Sequence, residues 1–196
     1  MLKPSAIVRV LGVIACCLVL ASIAGQLTKF LTGHDTVYGL IRLFDLDREN
    51  NIPTYFSASL LLLAALLLSI IAALKRKSRD PYALQWTILA FTFAFLAVDE
   101  AAGVHELLIR PTVELLGDRT TGIFYFAWVI PGMALTLFLA LFFFKFMLHL
   151  PVQTRLFFVL AAIVYLEGAI GFELIGGRYA EQHGEEKCDI QYDYDA

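Results

Sequence analysis

Long apolar runs, separated by short polar segments, make up most of the chain. A helix needs about 18 or more predominantly apolar residues to cross a bilayer. Five runs reach that length: about 7–27, 55–74, 83–108, 122–148 and 155–175. The segments between them are too short to hold an aqueous domain. The pattern therefore predicts an all-α fold, a polytopic membrane helical bundle of about five transmembrane helices, in a single domain over residues 1–187.

The composition supports a membrane environment. Hydrophobic residues make up 59% of the chain and charged residues 17%, against about 25% charged in soluble domains. The expected partner is the lipid bilayer, and no motif indicates nucleic-acid binding. The first run ends in small residues at 22–24, as a signal peptide does, but its length favours a retained helix. The three cysteines indicate no disulfide framework.

The segment between the first two runs has structure of its own. Its apolar residues fall on one helical stripe, which predicts a short interfacial helix over 35–44 with Asp35 as its N-cap. Acidic residues then alternate as in a calcium-binding loop, but Asn50 stands where that loop needs glycine and Phe56 where it needs glutamate. We therefore expect a turn whose acids cap the next helix: Asp45, Asp47 and Glu49.

Lysine and arginine near the ends of the runs predict the orientation in the membrane. Four of them crowd the link between the second and third runs: Lys75, Arg76, Lys77 and Arg79. This link is expected on the cytoplasmic side, which places the N-terminus inside and the C-terminus outside. Asp99 then lies ~23 Å along the third helix from its cytoplasmic end, at ~1.5 Å per residue.

Ionisable residues inside the third run are the main candidate for a functional site, because each costs about 2.5–3.5 kcal/mol to place in a bilayer. Four occur within eight residues: Asp99, Glu100, His105 and Glu106. On a continuous α-helix Asp99 and Glu106 would lie within ~20° of each other. The fifth run adds Glu167 and Glu173. If the third and fifth helices are neighbours, all six groups form one outward-facing site.

Three interpretations fit these residues. Carboxylates with one imidazole suit a divalent metal ion, in an enzyme or a redox-type membrane protein, with no other cofactor indicated. The same acids could instead relay protons or cations through a small transporter or channel. Finally, they could be structural, in an accessory membrane subunit. Gly168 and Gly171 are spaced for close helix approach and suggest a homo-oligomer.

Several short motifs between residues 44 and 184 occur together: Phe44-Asp-Leu-Asp47, Asn51-Ile-Pro-Thr54, Asp99-Glu100, His105-Glu106, Gly168–Glu173, Gly176-Gly177, Tyr179 and His183-Gly184. In these motifs the chain resembles an uncharacterised family of bacterial multipass membrane proteins. The resemblance implies an inner-membrane location and this architecture, but no reaction. Such proteins continue into a further apolar helix, whereas residues 188–196 are polar here. We interpret that segment as an irregular, frame-shifted tail.

Overall fold

The computed structural model describes residues 3–33, 39–117 and 120–182. Within these ranges the chain is all-α. Eight α-helices follow one another: α1 Pro4–Thr32, α2 Leu40–Phe44, α3 Ile52–Lys77, α4 Ala83–Ala102, α5 Ile109–Leu116, α6 Val129–His149, α7 Val152–Leu166 and α8 Phe172–Gln182. Two 3-10 helices, Val104–Leu108 and Gly122–Phe124, and one π-helical segment, Glu167–Gly171, lie between them.

Five stretches of helix in the described part are long and apolar enough to cross a membrane. They are Ser5–Thr32, Ile52–Lys77, Ala83–Ala102, Val129–His149 and Val152–Gln182. Their large apolar side chains are mostly exposed on the chain, as expected for helices whose solvent is lipid. The predicted fold class, an all-α polytopic membrane protein, is confirmed.

The chain forms two compact units, Met1–Gly103 and Val104–Ala196, and each is described by itself. The prediction of one domain over residues 1–187 stays a prediction. The tail from 188, and Asp35 as a helix N-cap, lie outside the described residues. The short helix near them begins at Leu40, after Gly39 in the left-handed conformation with φ 77°.

The first unit is built on a helical hairpin of α3 and α4. Small side chains are buried along it, which lets the two backbones approach closely. The buried residues of the hairpin include Ala58, Ala65, Ala72, Ala90 and Ala97. Its turn is held by Asp80, whose carboxylate accepts a bond from Lys75 Nζ at 2.8 Å and another from the backbone N–H of Tyr82 at 2.8 Å.

A buried polar network joins α1 to the turn that precedes α3. Asp45, only 8% exposed, accepts hydrogen bonds from Gln26 Nε2 at 2.9 Å and from the backbone N–H of Asp47 at 3.2 Å. Asn51 caps α3 through Oδ1, which accepts the Thr54 N–H at 3.1 Å. The predicted acid caps are therefore wrong: the amide of Asn51 caps the helix, and Asp45 holds the turn to α1.

In the second unit, α8 packs on the short 3-10 helix Gly122–Phe124. A Cβ on Gly177 would lie 3.0 Å from Tyr125 Cβ, so glycine allows this close approach. Glu181 Oε2 accepts the backbone N–H of Gly122 at 2.7 Å and fastens the start of that 3-10 helix to α8. Residues on either side of Trp128, Ala127 and Val129, are fully buried.

Candidate functional site

The third apolar run is not one continuous α-helix, which changes the geometry predicted for its acidic residues. α4 ends at Ala102 rather than about Leu108, because Gly103 takes the left-handed conformation, φ 58° and ψ 35°, that commonly ends helices. Its N–H bonds the carbonyl of Asp99 at 2.8 Å. The chain then enters a 3-10 helix, so the predicted common helical face of Asp99 and Glu106 is wrong.

The ionisable residues of this run therefore belong to two different elements. Asp99 and Glu100 are half-buried on the last turn of α4, in the first unit. His105 and Glu106 are half-buried in the 3-10 helix Val104–Leu108, at the start of the second unit. Each pair consists of neighbours in sequence, and a ring nitrogen of His105 lies within 4.8 Å of a carboxylate oxygen of Glu106.

The ring of His105 makes an aromatic contact with Trp128. The centroids of the His105 and Trp128 rings are 4.5 Å apart, with the planes at 54°. Trp128 also lies close to Gly132, where a Cβ would come within 3.2 Å of the indole Cζ3. Glycine at 132 thus leaves room for the indole that contacts the imidazole. Trp128 therefore contacts a site residue.

The position of Trp128 depends on the packing described for α8. The segment Gly122–Phe126 leads directly into Trp128, and Gly177 and Glu181 hold that segment. Both residues support the site from outside it, and the sequence singled out neither as part of it. Pro131 lies in the first turn of α6, where its missing N–H removes no helical hydrogen bond.

Glu167 lies in the π-helical segment that interrupts the last apolar run. π-Helical turns inside α-helices are rare and often occur at functional sites. Glu167 is at the midpoint of the 31-residue stretch Val152–Gln182. Its carboxylate fills the space beside Gly171, where a Cβ would come within 2.9 Å of Oε2. Gly168 has nothing within 4 Å of its Cβ position, whereas the space beside Gly171 is occupied by Glu167 of the same chain. The homo-oligomer contact through Gly168 and Gly171 stays a prediction.

Glu173 is half-buried in the first turn of α8. Within the described part of the second unit, neither Glu167 nor Glu173 has a carboxylate oxygen within 4.8 Å of the ligand atoms of both His105 and Glu106. The structure thus brings together two of the four predicted ligands of this unit. An imidazole nitrogen and a carboxylate oxygen within this distance can both bind one cation.

Comparison with known proteins found one family model. The model of a domain of unknown function, DUF8692, matches residues 10–194, almost the whole chain. A search of curated proteins and a search of solved structures each found no match.

Proposed function

The chain belongs to the DUF8692 family, and within it we propose that this membrane protein binds a divalent metal ion through His105 and Glu106. The observation that carries the proposal is the placement of the two side chains. Their ligand atoms lie within 4.8 Å of each other, and the imidazole ring packs against Trp128. Ligand groups held in advance lose less conformational freedom when they bind.

The donor set indicates the class of metal. One imidazole nitrogen and one carboxylate oxygen suit zinc, manganese or iron better than calcium or magnesium, which favour oxygen ligands alone. Two protein ligands are fewer than these metals use, so water or further side chains must complete the shell. On sequence grounds alone we propose that the other acids also take part in cation binding, without assigning them to this ion: Asp99, Glu100, Glu167 and Glu173.

We place the protein in the inner membrane of a bacterium, with the N-terminus in the cytoplasm and the C-terminus outside. The argument is the concentration of lysine and arginine at the turn between α3 and α4, since short cytoplasmic links are rich in both. The opposite end of α4 carries Asp99 and Glu100. In this orientation the proposed metal ligands face the outer side of the membrane.

Metal analysis of the purified, detergent-solubilised protein tests the proposal. After incubation with each divalent metal and removal of the excess, we expect about one bound ion per chain. His105→Gln and Glu106→Gln should weaken binding by about 10–100-fold or more, the range found even for residues that only support ligands. Matched controls in the same unit are His149→Gln and Glu114→Gln, at positions in α6 and α5.

Two results would decide against a metal site. Wild-type protein that holds no metal in any incubation would do so, as would site variants that bind as well as the two controls. Glu167 then becomes the residue of interest, because it is an ionisable group in a π-helical segment of a span. Metal-free protein that carries an acid-dependent flux in liposomes, abolished in Glu167→Gln, would favour the transport function instead.

A further inference from the structure

The turn between α3 and α4 carries more positive charge than the chain itself neutralises. Lys75 is paired with Asp80, at 2.8 Å between Nζ and Oδ2. Within the described residues Arg76 makes one hydrogen bond, to Thr87 Oγ1 at 3.5 Å, and neither Lys77 nor Arg79 pairs with an acid. All three are exposed. Three cations therefore remain available to an anion from outside the chain.

A groove between the two helices of the hairpin opens beside this turn. It has a volume of about 240 Å³ and is lined mainly by small residues of α3 and α4: Ser69, Ala72, Ala73, Ala90 and Ala94, with Phe91 along one side. Arg76 and Thr87 form its end nearest the turn. From residue 69 to residue 76 the groove runs roughly 10 Å along α3, at ~1.5 Å per residue.

We propose that this groove binds one anionic phospholipid of the surrounding bilayer. An acyl chain lies against the alanines, and the lipid phosphate is bound by Arg76 together with Lys77 or Arg79. The groove fits within one leaflet, whose hydrocarbon is roughly 15 Å deep. The apolar part of the groove therefore matches the acyl chain of a lipid, and its basic end matches the headgroup.

Charge complementarity separates this occupant from the alternatives. A zwitterionic lipid carries a positive group beside its phosphate, which would face the same three cations. A helix of a second chain would need acidic residues at one end only, opposite Arg76, Lys77 and Arg79. Basic pockets between transmembrane helices typically bind anionic headgroups. Each lysine or arginine near the membrane surface raises the affinity for an anionic lipid about fivefold.

Native mass spectrometry of the full chain in detergent, with phosphatidylglycerol or phosphatidylcholine added, tests the proposal. Wild-type protein should bind one phosphatidylglycerol at least about fivefold more tightly than phosphatidylcholine. Arg76→Gln should reduce this preference about fivefold. Lys145→Gln, which removes an exposed cation from α6, is the matched control and should leave it unchanged.

A second pair of variants tests the apolar half of the groove. Ala73→Leu fills the groove from an exposed position without changing charge, and it should weaken phosphatidylglycerol binding severalfold. Ala161→Leu makes the same change at an exposed position on α7, away from the groove, and should not. Equal binding of the two lipids by wild-type protein would overturn the proposal. So would equal losses in Arg76→Gln and Lys145→Gln, or in Ala73→Leu and Ala161→Leu.

Discussion

Asn51 offers the sharpest test of the structure, because one buried side chain holds both the start of α3 and the turn before it. Its side chain is almost inaccessible, at 3% residue exposure. Oδ1 accepts the backbone N–H of Thr54, while Nδ2 donates to the carbonyls of Asp45 and of Arg48, the latter at 2.8 Å. Only this orientation of the amide matches donors with acceptors. We predict that both Asn51→Ala and Asn51→Asp destabilise the first unit.

The size of the effect follows from these bonds. Loss of an N-cap side chain costs about 1 kcal/mol. Each of the two carbonyls then loses a buried donor, at about 1 kcal/mol each at the low end of the range. Asn51→Ala should therefore lower the free energy of unfolding by about 3 kcal/mol. Asn51→Asp keeps the cap acceptor but sets a negative charge against two carbonyl oxygens and near Asp45, so we expect at least the same loss.

The assay is thermal unfolding in detergent, followed by tryptophan fluorescence. The chain has two tryptophans, so in a Trp128→Phe background the signal comes from Trp86 of α4 alone. A loss of about 3 kcal/mol should lower the melting temperature on the order of 6–12 °C for a chain of this size. Asn50→Asp, the same change at the exposed neighbouring residue, should change it little. The reasoning would be refuted if the Asn51→Asp protein had the same melting temperature as this control.

Two further predictions concern the packing of α8. Gly177→Ala should destabilise the second unit by about 1–3 kcal/mol, since its Cβ would meet another Cβ at 3.0 Å. Gly168→Ala, with open space at its Cβ, should not lower the melting temperature, and a result in which both variants melt alike would contradict the packing. Glu181→Ala should cost about 1 kcal/mol through loss of its bond to Gly122. Glu181→Gln retains an acceptor and should lose less, as measured in the same melts.

The number and approximate positions of the spans could be predicted from the sequence because bilayer thickness sets the length of each apolar run. The helix ends could not, since they depend on single residues whose conformation the hydrophobic pattern does not show. Gly103 is the clearest case. A glycine within an apolar run is compatible with a continuous helix, and only its left-handed conformation in the structure separates α4 from the 3-10 helix that follows.

Local contacts of the site were within reach of the sequence, and distant ones were not. His105 and Glu106 are neighbours in the chain, and Glu167 lies beside Gly171, four residues further along the same helical segment. The contact of His105 with Trp128 joins residues far apart in sequence, and no periodicity relates them. The sequence pattern also does not predict the π-helical form of Glu167–Gly171, because these five residues would equally fit an α-helix.

A count of acidic residues overstates the size of a metal site in this chain, because several carboxylates are used to hold turns. Asp45 accepts from Gln26 and from the backbone of its own turn. Asp80 fastens the α3–α4 turn, and Glu181 fastens the segment before Trp128. A carboxylate whose lone pairs already accept protein donors has less capacity to bind a cation. The partners of each acid, rather than its presence in an apolar run, therefore decide its role.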